Sequence, residues 1–271
     1  MMRSLWSAAS GMIAQQTNVD TISHNLANVN TTGYKSQRTE FKSLLYQNLQ
    51  TRTTTANGEN KPIPAQVGLG TRVASTSTFY TQGAMQASEN DTDFAIEGDG
   101  FFSVRGDDGN VYYTRNGCFF WAIGPTGTTL CNTDGYPVLD STGNPIVVPN
   151  GVTSANMRIT SDGVVGYVGA DGTYTAMNQT IGRYQFTNPA GLQKLSRSLL
   201  AETAASGEAM NELTTNGLTR SNVRQNYLEG SNVQVADEMV NLIIAQRAYE
   251  LNSKAIQASD DMLQQANNLR R

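Results

Sequence analysis

The chain has 271 residues, of which 38% are hydrophobic and 15% are charged, and its formal net charge is −4. This length allows one large domain or two moderate ones with a substantial core. Nucleic-acid binding is disfavoured, because no basic run longer than Arg270-Arg271 is available to neutralise phosphates. Two cysteines and one histidine are too few for a zinc site of the common type.

The first residues, MMRSLWSAASGMIA, loosely imitate a secretory signal. Polar residues interrupt this apolar stretch, and the helical pattern continues past any plausible cleavage point, so we expect mature structure here. No run approaches the roughly 18 apolar residues of a membrane span, so no membrane insertion is expected.

The N-terminal segment is predicted to be a helix with one apolar stripe. Its apolar residues recur at alternating steps of three and four, which is the spacing of a coiled-coil seam. The stripe comprises Leu5, Ala8, Met12, Val19, Ile22, Leu26 and Val29, with Gln15 as its polar position. The faces beside the stripe carry Ser, Thr, Gln and Asn. Such faces favour packing against further protein, because buried amides and hydroxyls avoid the desolvation cost of a buried charge.

The helical pattern runs into a turn-rich stretch, HNLANVNTTGYKS, at residues 24–36. Gly33 can supply the positive φ that turns the chain, and Asn25 and Asn28 offer uncharged hydrogen-bonding groups. Residues 47–70 are rich in Thr, Asn, Gly and Pro and show neither helical nor strand periodicity. We therefore predict an N-terminal helical region over 1–35 and a connector over 36–70 with a long irregular stretch, which is either disordered or functional.

Period-two patterns dominate the middle of the chain. Short strand-like runs separated by turn signals predict an antiparallel β-rich domain over 71–228. The runs are FFSVR (101–105), VYYTR (111–115), CFFWA (118–122), TTLCN (128–132), YPVL (136–139) and PIVV (145–148), followed by MRIT, VVGYV, TYTAM and IGRYQF. A turn at 124–127 would place Cys131 opposite Phe120 and make Cys118 its diagonal neighbour. We expect two buried free thiols, with a disulfide as the alternative.

A second helix is predicted within residues 229–271. Ser231 and Gln234 match a capping box, and Asp237 and Glu238 suit the positive end of the helix dipole. One apolar set, a candidate assembly interface together with the N-terminal stripe, comprises Val235, Met239, Leu242, Tyr249, Ile256 and Leu263. A second stripe comprises Val240, Ile244, Ala248, Leu251, Ala255, Ala258, Met262 and Leu269, and Arg270-Arg271 would close the helix.

Two apolar stripes on one helix require two partners. The N-terminal helix can cover one stripe, and the middle of the chain or another subunit must cover the other. The simpler alternative is a two-helix stalk packed on its own globular domain. We favour burial between subunits, since a helix pair of this length has little core of its own. The predicted fold class is α+β, with paired coiled-coil-like terminal helices and a central antiparallel β-rich domain.

No constellation for catalysis, metal binding or cofactor binding is recognisable in the sequence. The acidic residues between 91 and 108 do not follow the spacing of a calcium loop. The glycines of VGLG and EGDG match neither the phosphate loop nor the dinucleotide fingerprint. His24 has no partner in a nucleophile motif. We therefore expect neither an enzyme nor a bound cofactor.

The two ends of the chain carry a family resemblance. The opening segment resembles that of the bacterial flagellar axial proteins of the rod and hook. The matching turn motif comprises Asn25, Asn28, Thr31, Gly33, Tyr34 and Lys35. The C-terminal YLEGSNVQVADEMVNLIIAQRAYELNSKAIQASDDMLQQ is similar to the terminal signature of the same family, and TDGYPVL and ASGEA are similar to its middle. AQVGLGTRV favours a rod subunit over a hook subunit, and the opening MMRSLW is more similar to the distal rod than to the proximal rod subunits.

This resemblance implies a structural subunit of the distal rod, which polymerises into a rigid hollow drive shaft. Such subunits pass through the flagellar type III export apparatus without a cleaved signal peptide and assemble in the basal body across the periplasm. The implied partners are further copies of the chain, proximal rod proteins, the hook protein and the flagellar ring proteins that act as a bushing. A hook or proximal rod subunit is the alternative within the family. A coiled-coil surface adhesin is the alternative from another class, and it would require a secretion signal or an anchor.

Overall fold

The computed structural model describes residues 2–50, 65–124, 127–148, 156–169 and 172–269. Within them lie two long helices, α1 (Met2–Ala27) and α2 (Val235–Asn268), and a short 3-10 turn at Pro189–Gly191. The strands are β1 (Gln37–Ser43), β2 (Tyr46–Gln50), β3 (Ala65–Gly68), β4 (Thr71–Thr78), β5 (Met85–Ala87), β6 (Phe94–Glu97), β7 (Phe101–Arg105), β8 (Val111–Thr114), β9 (Phe119–Gly124), β10 (Gly127–Asn132), β11 (Val147–Val148), β12 (Met157–Ile159), β13 (Val164–Val168), β14 (Tyr174–Thr180), β15 (Arg183–Gln185), β16 (Gln193–Lys194), β17 (Leu200–Ala201), β18 (Met210–Asn211), β19 (Asn222–Gln225) and β20 (Tyr227–Glu229). The α+β class is thereby confirmed.

The chain divides into two compact units. Unit 1 contains α1, β1 to β4 and α2, while unit 2 contains Asn28–Ser36 and Phe79–Val233. Neither helix, over the part of the chain that the structure describes, is long and apolar enough to cross a membrane.

In unit 1 the two helices pack against each other in antiparallel orientation. Ser4 Oγ lies 3.2 Å from Ser259 Oγ near one end, and Asn25 Nδ2 donates to Glu238 Oε1 at 3.2 Å near the other. Between these contacts Gly11 faces Asn252, where an added Cβ would lie 2.9 Å from the Asn252 amide nitrogen. Small buried residues line the contact, namely Ala8, Ala14, Ala245 and Ser259. The helices can therefore approach closely along this line.

A two-stranded antiparallel ribbon also packs on α1 in unit 1. β1 pairs with β4 and β2 with β3, and the bonds Leu44 N–Gly70 O and Leu69 N–Leu45 O connect the two ladders. An isolated ribbon of this kind is marginal in water. Its contact with α1 includes a 2.8 Å hydrogen bond between the hydroxyls of Thr21 and Thr39.

Unit 2 is built from antiparallel strands. Its largest sheet has six strands in the order β16-β17-β8-β7-β15-β18, beside smaller sheets β11-β10-β9 and β12-β13-β14 and the pairs β19-β6 and β20-β5. The main core contains Phe94, Phe102, Phe119, Leu130, Val138, Ile146, Val165 and Ile181, all almost completely buried. β7 runs through this unit with Phe101, Phe102 and Val104 all buried, which is why its sequence FFSVR lacks a polar face.

The cysteine hairpin has the predicted register. β9 and β10 pair with Gly124 opposite Gly127 and Cys131 opposite Phe120. Cys118 precedes β9 and forms an isolated bridge with Asp93. Both thiols are free, with Cys131 buried and Cys118 half-buried. The prediction of two free thiols is confirmed, whereas the prediction that both are buried is wrong for Cys118, which lies before β9 begins.

Three local predictions differ from the structure. Helix α1 ends at Ala27, so Val29 lies in a turn beyond the predicted stripe. The N-cap of α2 is Gln234 with no side-chain capping bond, so the capping box at Ser231 is wrong, and Ser231 Oγ instead accepts from Val233 N at 3.3 Å. The irregular stretch predicted over 47–70 is wrong at its ends, where backbone pairing between β2 and β3 overrides weak periodicity. Residues 51–64 of that stretch and the closing Arg270-Arg271 lie outside the described residues.

Candidate assembly surface and turn motif

Helix α2 carries an apolar stripe that the described part of the chain leaves uncovered. Val240, Ile244, Leu251 and Met262 are respectively 56%, 61%, 66% and 49% exposed. Their spacings of four, seven and eleven residues place them on one side of an α-helix. Soluble monomers rarely expose large contiguous apolar patches, and such a patch marks an interaction surface. This stripe is therefore the candidate assembly surface.

Another side of α2 faces α1. Leu242, Ile256 and Leu263 are half-buried on the same face as the buried residues Ala245 and Ser259. α2 thus has two apolar faces, and α1 covers only one of them. The sequence argument that the exposed face needs a second partner stays a prediction.

The structure places the residues of the predicted assembly interface at three levels of exposure. Ala8 and Ile22 are buried in α1, whereas Leu5, Met12, Val19, Leu26, Leu242, Ile256 and Leu263 are half-buried, and Val235, Met239 and Tyr249 are exposed. Trp6 and Ile13, which lie off the predicted stripe of α1, are 72% and 68% exposed. Their separation of seven residues was a signal in the sequence that pattern reasoning missed.

The turn motif begins with Asn25, which is buried at the end of α1. Its carboxamide binds the backbone of Gln37 twice: Nδ2 donates to Gln37 O at 2.7 Å, and Oδ1 accepts from Gln37 N at 2.9 Å. Nδ2 also donates to Glu238 Oε1, and burial raises the pKa of that carboxyl. Asn25 therefore joins the end of α1 to the start of β1 and the first turn of α2 within unit 1.

The rest of the motif, from Asn28 to Lys35, belongs to unit 2. Thr31 Oγ1 donates to Asn28 Oδ1 at 3.0 Å, and Tyr34 N donates to Thr31 O at 3.3 Å, so this segment folds into a turn of its own. Gly33 has φ +69°, and its N–H donates to Glu229 O at 2.8 Å. A Cβ at Gly33 would lie 2.6 Å from the Arg115 carbonyl carbon, so the position requires glycine on two grounds.

Lys35, the last residue of the motif, enters a buried ion cluster with Arg115 and Glu229. Lys35 Nζ lies 2.6 Å from Glu229 Oε1, and Arg115 Nε lies 3.0 Å from Glu229 Oε2. All three side chains are almost completely buried. Lys35 Nζ also donates to Thr81 O at 2.7 Å, and the Arg115 guanidinium donates to Gly98 O at 2.8 Å and to Gly100 O.

The electrostatics of this cluster are those of two cations sharing one carboxylate. Burial lowers the pKa of Lys35, and the charge of Arg115 lowers it further, while Glu229 opposes both effects. The cluster connects the N-terminal turn, the end of β8 and the end of β20, which lie far apart in the sequence. Motif reasoning found Lys35 but missed Arg115 and Glu229, because no local pattern identifies long-range ion partners.

The cluster is structural in character and not a reaction centre. Over the described ranges, no group of three or more His, Cys, Asp or Glu side chains could hold a metal ion. The polar atoms of Glu229 are occupied by Lys35, Arg115 and Gly83 N, which donates to Oε1 at 2.9 Å. A carboxylate saturated in this way stabilises packing of the surrounding segments.

Family models match three parts of the chain. Residues 5–35 match the model described as flagella basal body rod protein, and residues 95–167 match the flagellar hook protein FlgE/F/G D1 domain. Residues 224–269 match the C-terminal model of the flagellar basal body rod FlgEFG proteins. These ranges include α1 with the turn motif, and α2 with its exposed stripe.

Curated relatives match along the full length. The chain is 45% identical to the flagellar basal-body rod protein FlgG of Borreliella burgdorferi, covering 100% of both chains. It is 40% identical to the protein of the same name from Buchnera aphidicola subsp. Acyrthosiphon pisum, covering 99% of this chain and 100% of the relative. It is 38% identical to that of Bacillus subtilis, with 100% of both chains covered. The chain therefore belongs to the family of flagellar rod and hook proteins, which are structural components of the flagellar basal body and hook and not enzymes.

Proposed function

We propose that this chain is a structural subunit of the flagellar distal rod, which polymerises helically into a rigid hollow shaft that transmits torque and conducts exported subunits. The observation that carries the proposal is the exposed apolar stripe on α2, comprising Val240, Ile244, Leu251 and Met262. A repeated copy of the chain is the natural cover for such a stripe, because a contact between two different surfaces repeats from copy to copy and gives an open helical filament where it does not close into a ring. Full-length similarity to proteins named flagellar basal-body rod protein supports this proposal.

In this proposal the terminal helices of unit 1 form an inner tube with coiled-coil-like packing. The antiparallel contact of α1 and α2 along small residues supports the helix pairing. Trp6 and Ile13 offer a second apolar surface for a neighbouring copy. The domain boundaries at residues 35, 70 and 228 stay predictions.

We also propose the partners that such a position requires. Copies of the chain would contact each other along the tube, proximal rod proteins and the hook protein would adjoin its ends, and the ring proteins would surround it as it crosses the periplasm. Delivery would use the type III export apparatus. A hook position remains the alternative, because one matching family model also covers hook proteins.

The test introduces a charge into the exposed stripe. In Leu251→Asp the new carboxylate is solvated in the single chain but would be buried without a partner in an assembled tube, which is strongly unfavourable. We expect normal folding and export but no rod beyond the proximal part in isolated basal bodies. The control is Gln257→Asp, which adds the same charge at an exposed polar position of the same helix.

Normal rods in Leu251→Asp cells would contradict the interface assignment. Labelling the chain in isolated basal bodies would distinguish a rod subunit from a hook subunit, since the label of a hook subunit would be found outside the rod. Leu242 is a less suitable target than Leu251, because it is half-buried in unit 1 and a charge there would disturb the single chain.

A further inference from the structure

The chain passes between unit 1 and unit 2 four times, between residues 27 and 28, 36 and 37, 78 and 79, and 233 and 234. Each of these four points is called a passage. Two bodies joined by a single linker move independently by default. In each unit, however, the residues beside these passages are hydrogen-bonded to one another.

In unit 2 the side chain of Asn232 binds two other passages. Its Oδ1 accepts from Ser36 N at 2.7 Å, and its Nδ2 donates to Phe79 O at 2.9 Å and to Thr81 O at 3.2 Å. Phe79 N in turn donates to Ser36 O at 2.9 Å. One carboxamide therefore holds the passages at 36/37, 78/79 and 233/234 together.

The buried ion cluster reinforces the same three passages. Lys35, one residue before Ser36, bonds to Thr81 O at 2.7 Å and to Glu229 Oε1 at 2.6 Å. Asn232 N donates to Tyr34 O at 3.4 Å. We call Lys35, Ser36, Phe79, Glu229 and Asn232 the unit 2 clamp.

Unit 1 has a matching arrangement around Asn25. Asn25 lies two residues before the first passage and binds the backbone of Gln37 through both ends of its carboxamide and Glu238 through Nδ2. Gln37 is also paired with Thr78 in the ladder between β1 and β4. Asn25, Gln37, Thr78 and Glu238 form the unit 1 clamp, which gathers all four passages.

We propose that each clamp holds its passages as one cooperative element within its own unit, so that force reaching the unit 2 clamp is carried jointly by its three passages. Asn232 and Asn25 are the positioning residues, because each provides both a donor and an acceptor to segments from different passages. Lys35, Glu229 and Asn25 are buried, whereas Asn232 is half-buried and its bonds to Phe79 and Thr81 are exposed. Linked hydrogen bonds of this kind can hold their surroundings more firmly than the separate bonds would. The mechanical role rests on the proposed function in the rod, whereas the cooperative coupling does not.

The coupling is tested by amide hydrogen exchange on the full-length protein with Asn232→Ala. We expect exchange to accelerate roughly tenfold both at Ser36, which loses its acceptor, and at Phe79, whose acceptor Ser36 O is unaltered. The control is Asn110→Ala, which removes an exposed carboxamide that bonds to Asp108 in its own turn. Acceleration at Ser36 alone, or at neither amide, would overturn the cooperative clamp.

A second variant covers the case in which Asn232→Ala unfolds unit 2. Asn232→Asp keeps the acceptor for Ser36 N but loses the donor to Phe79 O and Thr81 O. A cooperative clamp then accelerates exchange at Ser36 and Phe79 together. Unchanged exchange at both amides would refute it.

The mechanical role is tested in basal bodies isolated after a fixed shear. We expect Asn232→Ala rods to form in normal number and to break several times more often than Asn110→Ala rods. Equal breakage would overturn the mechanical role. If the proposed function itself is wrong, cells that lack the gene for this chain still form intact rods. This result differs both from more frequent breakage and from equal breakage of Asn232→Ala rods.

Discussion

Replacing Glu229 with Gln should destabilise unit 2 more than removing either cation that it binds. Glu229 Oε1 lies 2.6 Å from Lys35 Nζ and Oε2 lies 3.0 Å from Arg115 Nε, with all three side chains buried. A Gln carboxamide loses the charge and presents an N–H donor to one of the two cationic donors. Loss of one partner from a buried ion pair costs about 3–5 kcal/mol in free energy of unfolding.

Lys35→Met should cost less, about 2 kcal/mol or below, because Glu229 keeps Arg115. The charge-assisted bonds of Lys35 are worth about 1.5–3 kcal/mol, but removal of a buried cation also relieves desolvation and its repulsion with Arg115. Comparing the loss in free energy of unfolding in Glu229→Gln with that in Lys35→Met therefore tests whether one carboxylate holds two cations.

Urea denaturation followed by tryptophan emission measures both variants. The chain has two tryptophans, and Trp6 lies in α1, so a Trp6→Phe background leaves Trp121 in β9 to report on unit 2. Equal destabilisation by Lys35→Met and Glu229→Gln would refute the shared-anion reasoning. So would a cost below about 1 kcal/mol for Glu229→Gln, since that magnitude is typical of an exposed pair.

Three further predictions concern the pH dependence of Lys35, the reactivity of the two cysteines and the sites of trypsin cleavage. In the folded chain the pKa of Lys35 lies below its ordinary value of 10.5, so the contribution of Lys35 to the free energy of unfolding should increase as pH rises toward 10.5. The difference in free energy of unfolding between wild type and Lys35→Met, measured in urea, should therefore grow with pH. A difference that shrinks with pH would contradict this. Burial raises the thiol pKa of Cys118 and Cys131, so alkylation near pH 8 should be roughly tenfold slower than in urea, and equal rates would contradict the buried-thiol assignment. In the unassembled chain, trypsin should cut α2 at exposed Arg247 while the bond after buried Lys35 resists, and cleavage at Lys35 first would argue against its cluster.

The parts of the fold that the sequence predicted are those fixed by local physics. The strand runs FFSVR and TTLCN became β7 and β10, and the short turn between β9 and β10 set the register of Cys131. The positive φ of Gly33 was predictable because glycine has no Cβ to clash in that region. The apolar stripes of α2 were predictable from a period that any amphipathic helix must keep.

The parts that sequence reasoning missed depend on distant residues. Arg115 and Glu229 are separated by 114 positions, and neither belongs to a local pattern. The capping box at Ser231 was plausible by spacing, but Ser231 and Asn232 are bonded within unit 2, so the helix begins later, after Gln234. The strands β2 and β3 lack periodicity because both are largely exposed, and only their mutual pairing reveals them.

In the proposed rod, assembly and rigidity depend on chemically different groups of this chain. The exposed stripe of α2, with Ile244 and Leu251 at its centre, can bind only by apolar burial, which is strong but not directional. The turn motif contributes Asn25 and Lys35, whose hydrogen bonds to fixed backbone atoms are directional and hold segments in one geometry. Apolar substitutions in the stripe should therefore preserve assembly where charged ones abolish it, whereas even the nearly isosteric Asn25→Asp should loosen unit 1, because it replaces an amide donor with a second acceptor facing Glu238. If Asn25→Asp were as stable as wild type, the 3.2 Å contact between Asn25 and Glu238 could not be important for holding α1 and α2 together in unit 1.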